Sequence, residues 1–174
     1  DNADDTLFQM ADRASSNGEQ NAFFEAMRDL RLKRKGIEGG FLELVGGRFT
    51  ALNQVEIGKA PMLESISFAN LSLMNTDALE ESVAVDAVVA KVMNQNSLAL
   101  GHLTTRLNAL VSKKLDDKSN PLGPVALCEG FLSACSGLGV EIRVKLIIFK
   151  LFEKYVLSQL EDLYAHTNQL LAAA

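Results

Sequence analysis

The sequence has no tryptophan and only two tyrosines, two histidines, two cysteines and three prolines in 174 residues. Each scarcity narrows what the chain can do. His102 and His166 fall in different predicted helices, and neither has a His or Cys four residues on, so metal-site spacing is missing and both read as surface or half-buried helix residues. Cys128 and Cys135 stand seven apart within one predicted helix, about 10 Å along its axis and beyond disulfide reach. They are expected to be reduced, buried thiols, which suits a cytoplasmic protein. No apolar run approaches the roughly 20 residues that span a bilayer, because even the richest stretch, residues 144–151, is interrupted by Lys145 and Lys150. Positive charge is also in short supply. The 17 Lys and Arg against 22 Asp and Glu leave a net charge of −5, which argues against broad attachment to nucleic acid or an anionic membrane.

The motifs of common chemistry are missing too. There is no Gly-x-Ser-x-Gly elbow, no serine with an evident histidine partner and no Gly-Lys-Ser/Thr phosphate cradle; Gly36-x-x-Gly39-Gly40 lies inside a helical pattern with no strand before it. Glu80, Glu81 and Asp86 are explained by a solvated helix N-terminus. No catalytic residue, cofactor or metal is therefore expected.

What is present is helical periodicity. With 48% hydrophobic residues, the chain can bury one core, and its pattern predicts an all-α fold: an irregular multi-helix bundle of about six helices with one long N-terminal helix. Residues 1–18 read as a polar N-terminal segment, with a short helix around Leu7 and Met10, and residues 19–174 as a single helical domain. In the long helix, 19–53, the residues Phe23, Met27, Leu30, Ile37, Phe41, Leu44 and Leu52 alternate by three and four, with Arg34 and Arg48 in the vacant slots. Its five glycines each cost about 1 kcal/mol relative to alanine, so it either packs closely or breaks near Gly39 and Gly40.

Residues 55–75, with Gly58, Pro61 and several serines, read as a long connection holding at most a short extended piece. A helix then runs to about Gln95 with Leu79, Val83, Ala87 and Ala90 as its buried stripe, widened by Val85, Val88, Val89 and Val92 so that it is covered on more than one side, and a separate one follows Asn96 through Leu100, Leu103 and Leu107. Residues 115–124, LDDKSNPLGP, form a loop whose Pro124 suits the first turn of a helix over 124–136. Helices over 140–157 and 158–173 complete the chain, with an unbroken passage between them left open.

The sharpest charge feature is Arg28, Arg31, Lys33, Arg34 and Lys35, five cations within eight positions. Together with Gly36, Gly40 and Gly47 it forms the candidate interaction surface, since missing side chains let another helix approach. An RNA or DNA contact through residues 28–35 is the alternative, but no aromatics are interleaved for base stacking, so nucleic acid is not the expected partner. The chain begins at Asp1 without methionine or signal-peptide core, which reads as the edge of an excised fragment or a processed product, and a piece of something longer is the expectation.

The block NPLGPVALCEGFLSACSGLGVEIRVKLIIFKLFEKYVLSQLEDLY, preceded by LEESVAVDAVVAKV and FFEAMRDLRLKRKGIE, resembles the bacterial domain-of-unknown-function family 1631, in which similar blocks occur in the same order. The resemblance implies the N-terminal helical part of a longer bacterial cytoplasmic protein. Some relatives of that kind pair such regions with a PilZ-like segment, the type that binds cyclic di-GMP. This chain has no Arg-x-x-x-Arg pair, and Asn70-x-Ser72 is followed by Asn75 where that motif has glycine. The combined expectation is a non-enzymatic interaction or regulatory module of a signalling protein. Its partner would be another protein, a second copy or other domains of the same polypeptide; a cyclic-di-GMP- or other nucleotide-responsive domain is the alternative.

Overall fold

The computed structural model describes residues 2–52, 76–112 and 114–173, and their architecture is an all-α bundle. Among the described residues no helix is long and apolar enough to cross a membrane. The expected connection over 55–75 lies outside the described residues.

Helix α1 (Asn2–Asp12) carries Asp4 and Asp5 in its first turn, where the helix dipole favours acids, and aims Leu7 and Ala11 inward. Both are fully buried. Helix α2 (Asn17–Leu52) starts from a capping arrangement: Ser16 Oγ accepts the Glu19 N–H at 3.2 Å, while the Glu19 carboxylate accepts from the Ser15 backbone N–H at 3.0 Å. The chain can therefore reverse at 13–16, and α1 packs back against the first half of α2. The glycines do not break α2, which is continuous for 36 residues. Its inward stripe runs through Phe23, Met27, Phe41, Val45 and Leu52. Val45 takes the place expected of Leu44, which is 39% exposed.

Helix α3 (Thr76–Leu110) joins what the sequence pattern divided at Asn94–Asn96. Asn96 does not end the helix, because its side chain amide donates to the Val92 carbonyl at 3.0 Å and so stays within its own turn. Val88, Val92, Leu100, Leu103 and Leu107 are buried in one phase along it. The buried face is turned by about half a revolution from Leu79, Val83, Ala87 and Ala90: Leu79 and Val83 are 54% and 61% exposed and Ala87 and Ala90 face outward, while Val88 and Val92, expected to widen the stripe, are buried.

After the loop that ends at Gly123 come α4 (Pro124–Ala134), with proline in its first turn as expected, and α5 (Ile142–Tyr155). A single 3-10 turn (Leu157–Gln159) separates α5 from α6 (Leu160–Ala173), so the last two helices are distinct. Helix α2 lies along α4, α3 along α6, and α5 touches α1, α2 and α3. Two hydrophobic clusters result. One gathers Leu52, Val92, Leu103, Leu127, Phe149, Phe152 and Tyr164; the other joins Leu7, Ala11, Phe23, Met27, Val144 and Ile148. Phe131 packs against both.

Candidate interaction surface

The buried stripe of α2 determines what its opposite side presents. At about 100° per residue, Leu32, Gly36, Gly39, Glu43, Gly46, Gly47 and Thr50 share one face, and all of them are exposed. A Cβ added at Gly36, Gly39, Gly46 or Gly47 would meet nothing within 4 Å. Gly40 differs, because its Cβ would stand 3.9 Å from that of Ala134, at the flank where α2 meets α4. Leu32 is 74% exposed and Leu42, at the edge of this face, 60%.

Around α2, Arg28, Arg31 and Lys35 fall within about 60° of one another while Lys33 and Arg34 point elsewhere, and Arg31 and Lys33 are tied to this chain's own groups. Arg31 Nε pairs with Asp4 at 2.8 Å, joining α2 to α1. Lys33 Nζ pairs with Asp29 at 2.9 Å and donates to the Gly137 carbonyl at 2.6 Å; Asp29 also accepts the Gly139 N–H at 3.1 Å. These bonds hold the Asp29 carboxyl below its ordinary range, Lys33 first and then the Gly139 amide. Arg28 lines a shallow cavity of about 450 Å³ beside Glu25, Asp29 and Lys33. Arg31 and Arg34 rim a cleft of about 420 Å³ floored by Phe41, Phe131 and Phe152, and Asp4 and Glu38 share the rim. The Phe131 and Phe152 rings stack at 4.0 Å.

A third depression, about 650 Å³, lies between the start of α3 and α5, with Leu79, Val83, Val88, Leu146 and Phe149 along it. Lys91 and Glu153 pair across its edge at 2.7 Å, and Lys145 pairs with Glu81 nearby. The helical pattern hid this surface by assigning Leu79 and Val83 to the core. Exposed apolar residues at helical spacing look the same in sequence as buried ones.

The most distinctive stretch, 115–124, is structural. Asn120 is fully buried: its amide donates to Thr104 Oγ1 at 3.0 Å and accepts the Leu122 N–H at 3.0 Å. Asn108 pairs with both backbone groups of Leu115, at 2.7 and 2.9 Å, and Tyr164 donates to the Leu122 carbonyl at 2.7 Å. Among the described residues no buried side-chain polar atom lacks a partner. Cys128 and Cys135 are free and buried as expected; burial pushes their thiols up to about 12 and about 11, which makes both poor nucleophiles. His102 and His166 are exposed, on α3 and α6.

Residues 1–174 match the family model described as "Protein of unknown function (DUF1631) N-terminal domain". No curated protein and no solved structure matches the chain.

Proposed function

The chain belongs to the family described as Protein of unknown function (DUF1631) N-terminal domain, and from that premise we propose a non-enzymatic helical interaction module of a larger bacterial cytoplasmic signalling protein. The docking element in this reading is the outer face of α2. One observation carries it. Four glycines stand on the solvent side of one helix with empty space beyond each, and no neighbour within the described residues uses that space. At about 1 kcal/mol each relative to alanine, they cost about 4 kcal/mol, a large part of the 5–15 kcal/mol by which a domain is stable. A partner helix or loop that approaches the bare backbone would offset that cost by close van der Waals contact. Exposed Leu32 and Leu42 supply apolar area on and beside the same face.

A photo-crosslinking residue placed at Leu42, in the full-length protein in its native cell, tests the reading. Crosslinked product is expected at Leu42 and not at Glu161, an exposed position on α6 far from α2 in the chain. Equal, background-level yields at the two positions would remove the support for α2 as a docking element.

The cleft floored by Phe41, Phe131 and Phe152 favours a second reading, a nucleotide-responsive domain, since its volume and its aromatic and guanidinium lining suit a planar anionic ligand. Against it, Asp4 already neutralises Arg31. Thermal shifts across a nucleotide panel decide; a flat panel ends this alternative.

A further inference from the structure

The residues along the outer face of α2 form complementary pairs about a centre. Gly39 is its centre: Leu32 and Gly46 lie seven residues to either side, and Lys35 and Glu43 lie four to either side. Seven residues are close to two helical turns and four close to one, so these positions share a face at two matched heights above and below Gly39. The members of each pair are complementary rather than alike. Leu32 is a large apolar side chain 74% exposed, and Gly46 is a notch with nothing within 4 Å. Lys35 and Glu43 are opposite charges, both exposed, and neither has a partner among the described residues.

A two-fold axis through Gly39 turns this order into contacts. It places a second α2 antiparallel to the first, so each residue faces the one equally far from Gly39 on the other copy. Leu32 of each chain then enters the Gly46 notch of its partner, and Lys35 of each meets Glu43 of the other. Two bare glycine backbones cross at the centre, the closest approach helices can make. An interface that repeats the same contact twice about a closed axis is the ordinary form of a homodimer. We propose that the outer face of α2 binds a second copy of this chain in this antiparallel arrangement; the proposal rests on the reading of α2 as a docking element and names its occupant.

The area sets the strength. About 20 residues of helix present a strip of about 30 by 10 Å, on the order of 300 Å² per partner. Standard interfaces bury about 800 Å² per partner, so this dimer is weak and its measurement belongs at high protein concentration. Like-with-like binding also explains why the face carries one unpaired cation and one unpaired anion, since a face of one charge sign would repel its own copy.

Sedimentation equilibrium of the 174-residue chain, run to the highest soluble concentration, tests the proposal. A reversible monomer–dimer equilibrium is expected. Lys35→Glu and Glu43→Lys should each weaken it about tenfold, because each places like charges together twice. The double variant Lys35→Glu/Glu43→Lys should restore it to near the original strength. Leu32→Lys should abolish it with helix content unchanged by circular dichroism. All these positions are exposed, so the fold is not at stake. A chain that stays monomeric throughout, or single and double charge variants that dimerise alike or lose affinity additively, overturns the proposal. A monomeric chain whose Leu42 crosslinks to a different polypeptide in cells would defeat the second copy as occupant while leaving the docking element standing; no crosslink would defeat both.

Discussion

Asn120 is the residue on which most of the 115–124 turn depends. Its amide reaches Thr104 on α3 with one end and the Leu122 backbone with the other, its own N–H donates to the Asp116 carbonyl at 3.0 Å, and its carbonyl accepts the Gly123 N–H at 2.8 Å. Gly123 leaves no room for a side chain, since a Cβ there would stand 2.6 Å from the Asp117 carbonyl. Its φ of −67° is one that any residue adopts, so space and not backbone strain requires the glycine. Asn120→Ala strips buried Thr104 and the half-buried Leu122 amide of a partner. The expected loss is about 2–3 kcal/mol, measured by urea unfolding. Tyr164→Phe removes a single bond to the same segment and should lose about 1 kcal/mol. Equal losses from the two would show that the Asn120 network adds nothing beyond one hydrogen bond.

At the scale of elements, α2 is long and poorly suited to stand alone, and its glycines separate into two kinds. Gly40 adjoins Ala134, and Gly130 on α4 would meet the Phe41 ring at 3.6 Å, so both sit where helices touch. Gly36 and Gly47 adjoin nothing within 4 Å. Replacing either with alanine should stabilise the monomer by about 0.5–1 kcal/mol, because helical φ and ψ suit alanine and its unfolded chain has less entropy to lose. A rise in the urea midpoint at constant slope is the expected result; a fall would mean that the backbone there is already in contact. Much of this element was legible beforehand. The stripe from Phe23 to Leu52 gave its length and its buried side, and the proline at 124 gave the start of α4. The start of α2 is ambiguous in sequence: Ser16-x-x-Glu19 is a capping box, but Ser15 to Gly18 reads equally as a breaker cluster. The continuity of α3 was not legible, because polar side chains at Asn94–Asn96 carry the same local signal whether they end a helix or bond back onto it. The candidate face on α2 was half legible. Glycines mark a close approach in sequence, yet only packing tells which of them already have a neighbour.

Across the whole molecule, the question is whether two hydrophobic clusters make one cooperative unit. Helix α5 supplies Val144 and Ile148 to one and Phe149 and Phe152 to the other, and α2 supplies Phe23 and Met27 to the first and Leu52 to the second. Phe131 bridges them, with its ring against Phe152. Three separate connections imply that neither cluster can open without exposing side chains of the other. Leu7 tests this from the far end, since it is fully buried in the N-terminal cluster and α1 is the element whose residues read as a separate polar segment in the sequence. Leu7→Ala removes a core side chain and leaves a cavity, so the expected cost is about 2–5 kcal/mol. The readouts are placed apart. With no tryptophan, intrinsic fluorescence reports Tyr155 and Tyr164, at the end of α5 and within α6, whereas circular dichroism reports every helix. If the clusters form one unit, both signals in Leu7→Ala shift to lower urea together and keep a single midpoint. An early loss of helix signal that leaves the tyrosine transition where it was would show that α1 and its neighbours unfold on their own, and the chain would then divide near residue 18 in energy as it does in composition.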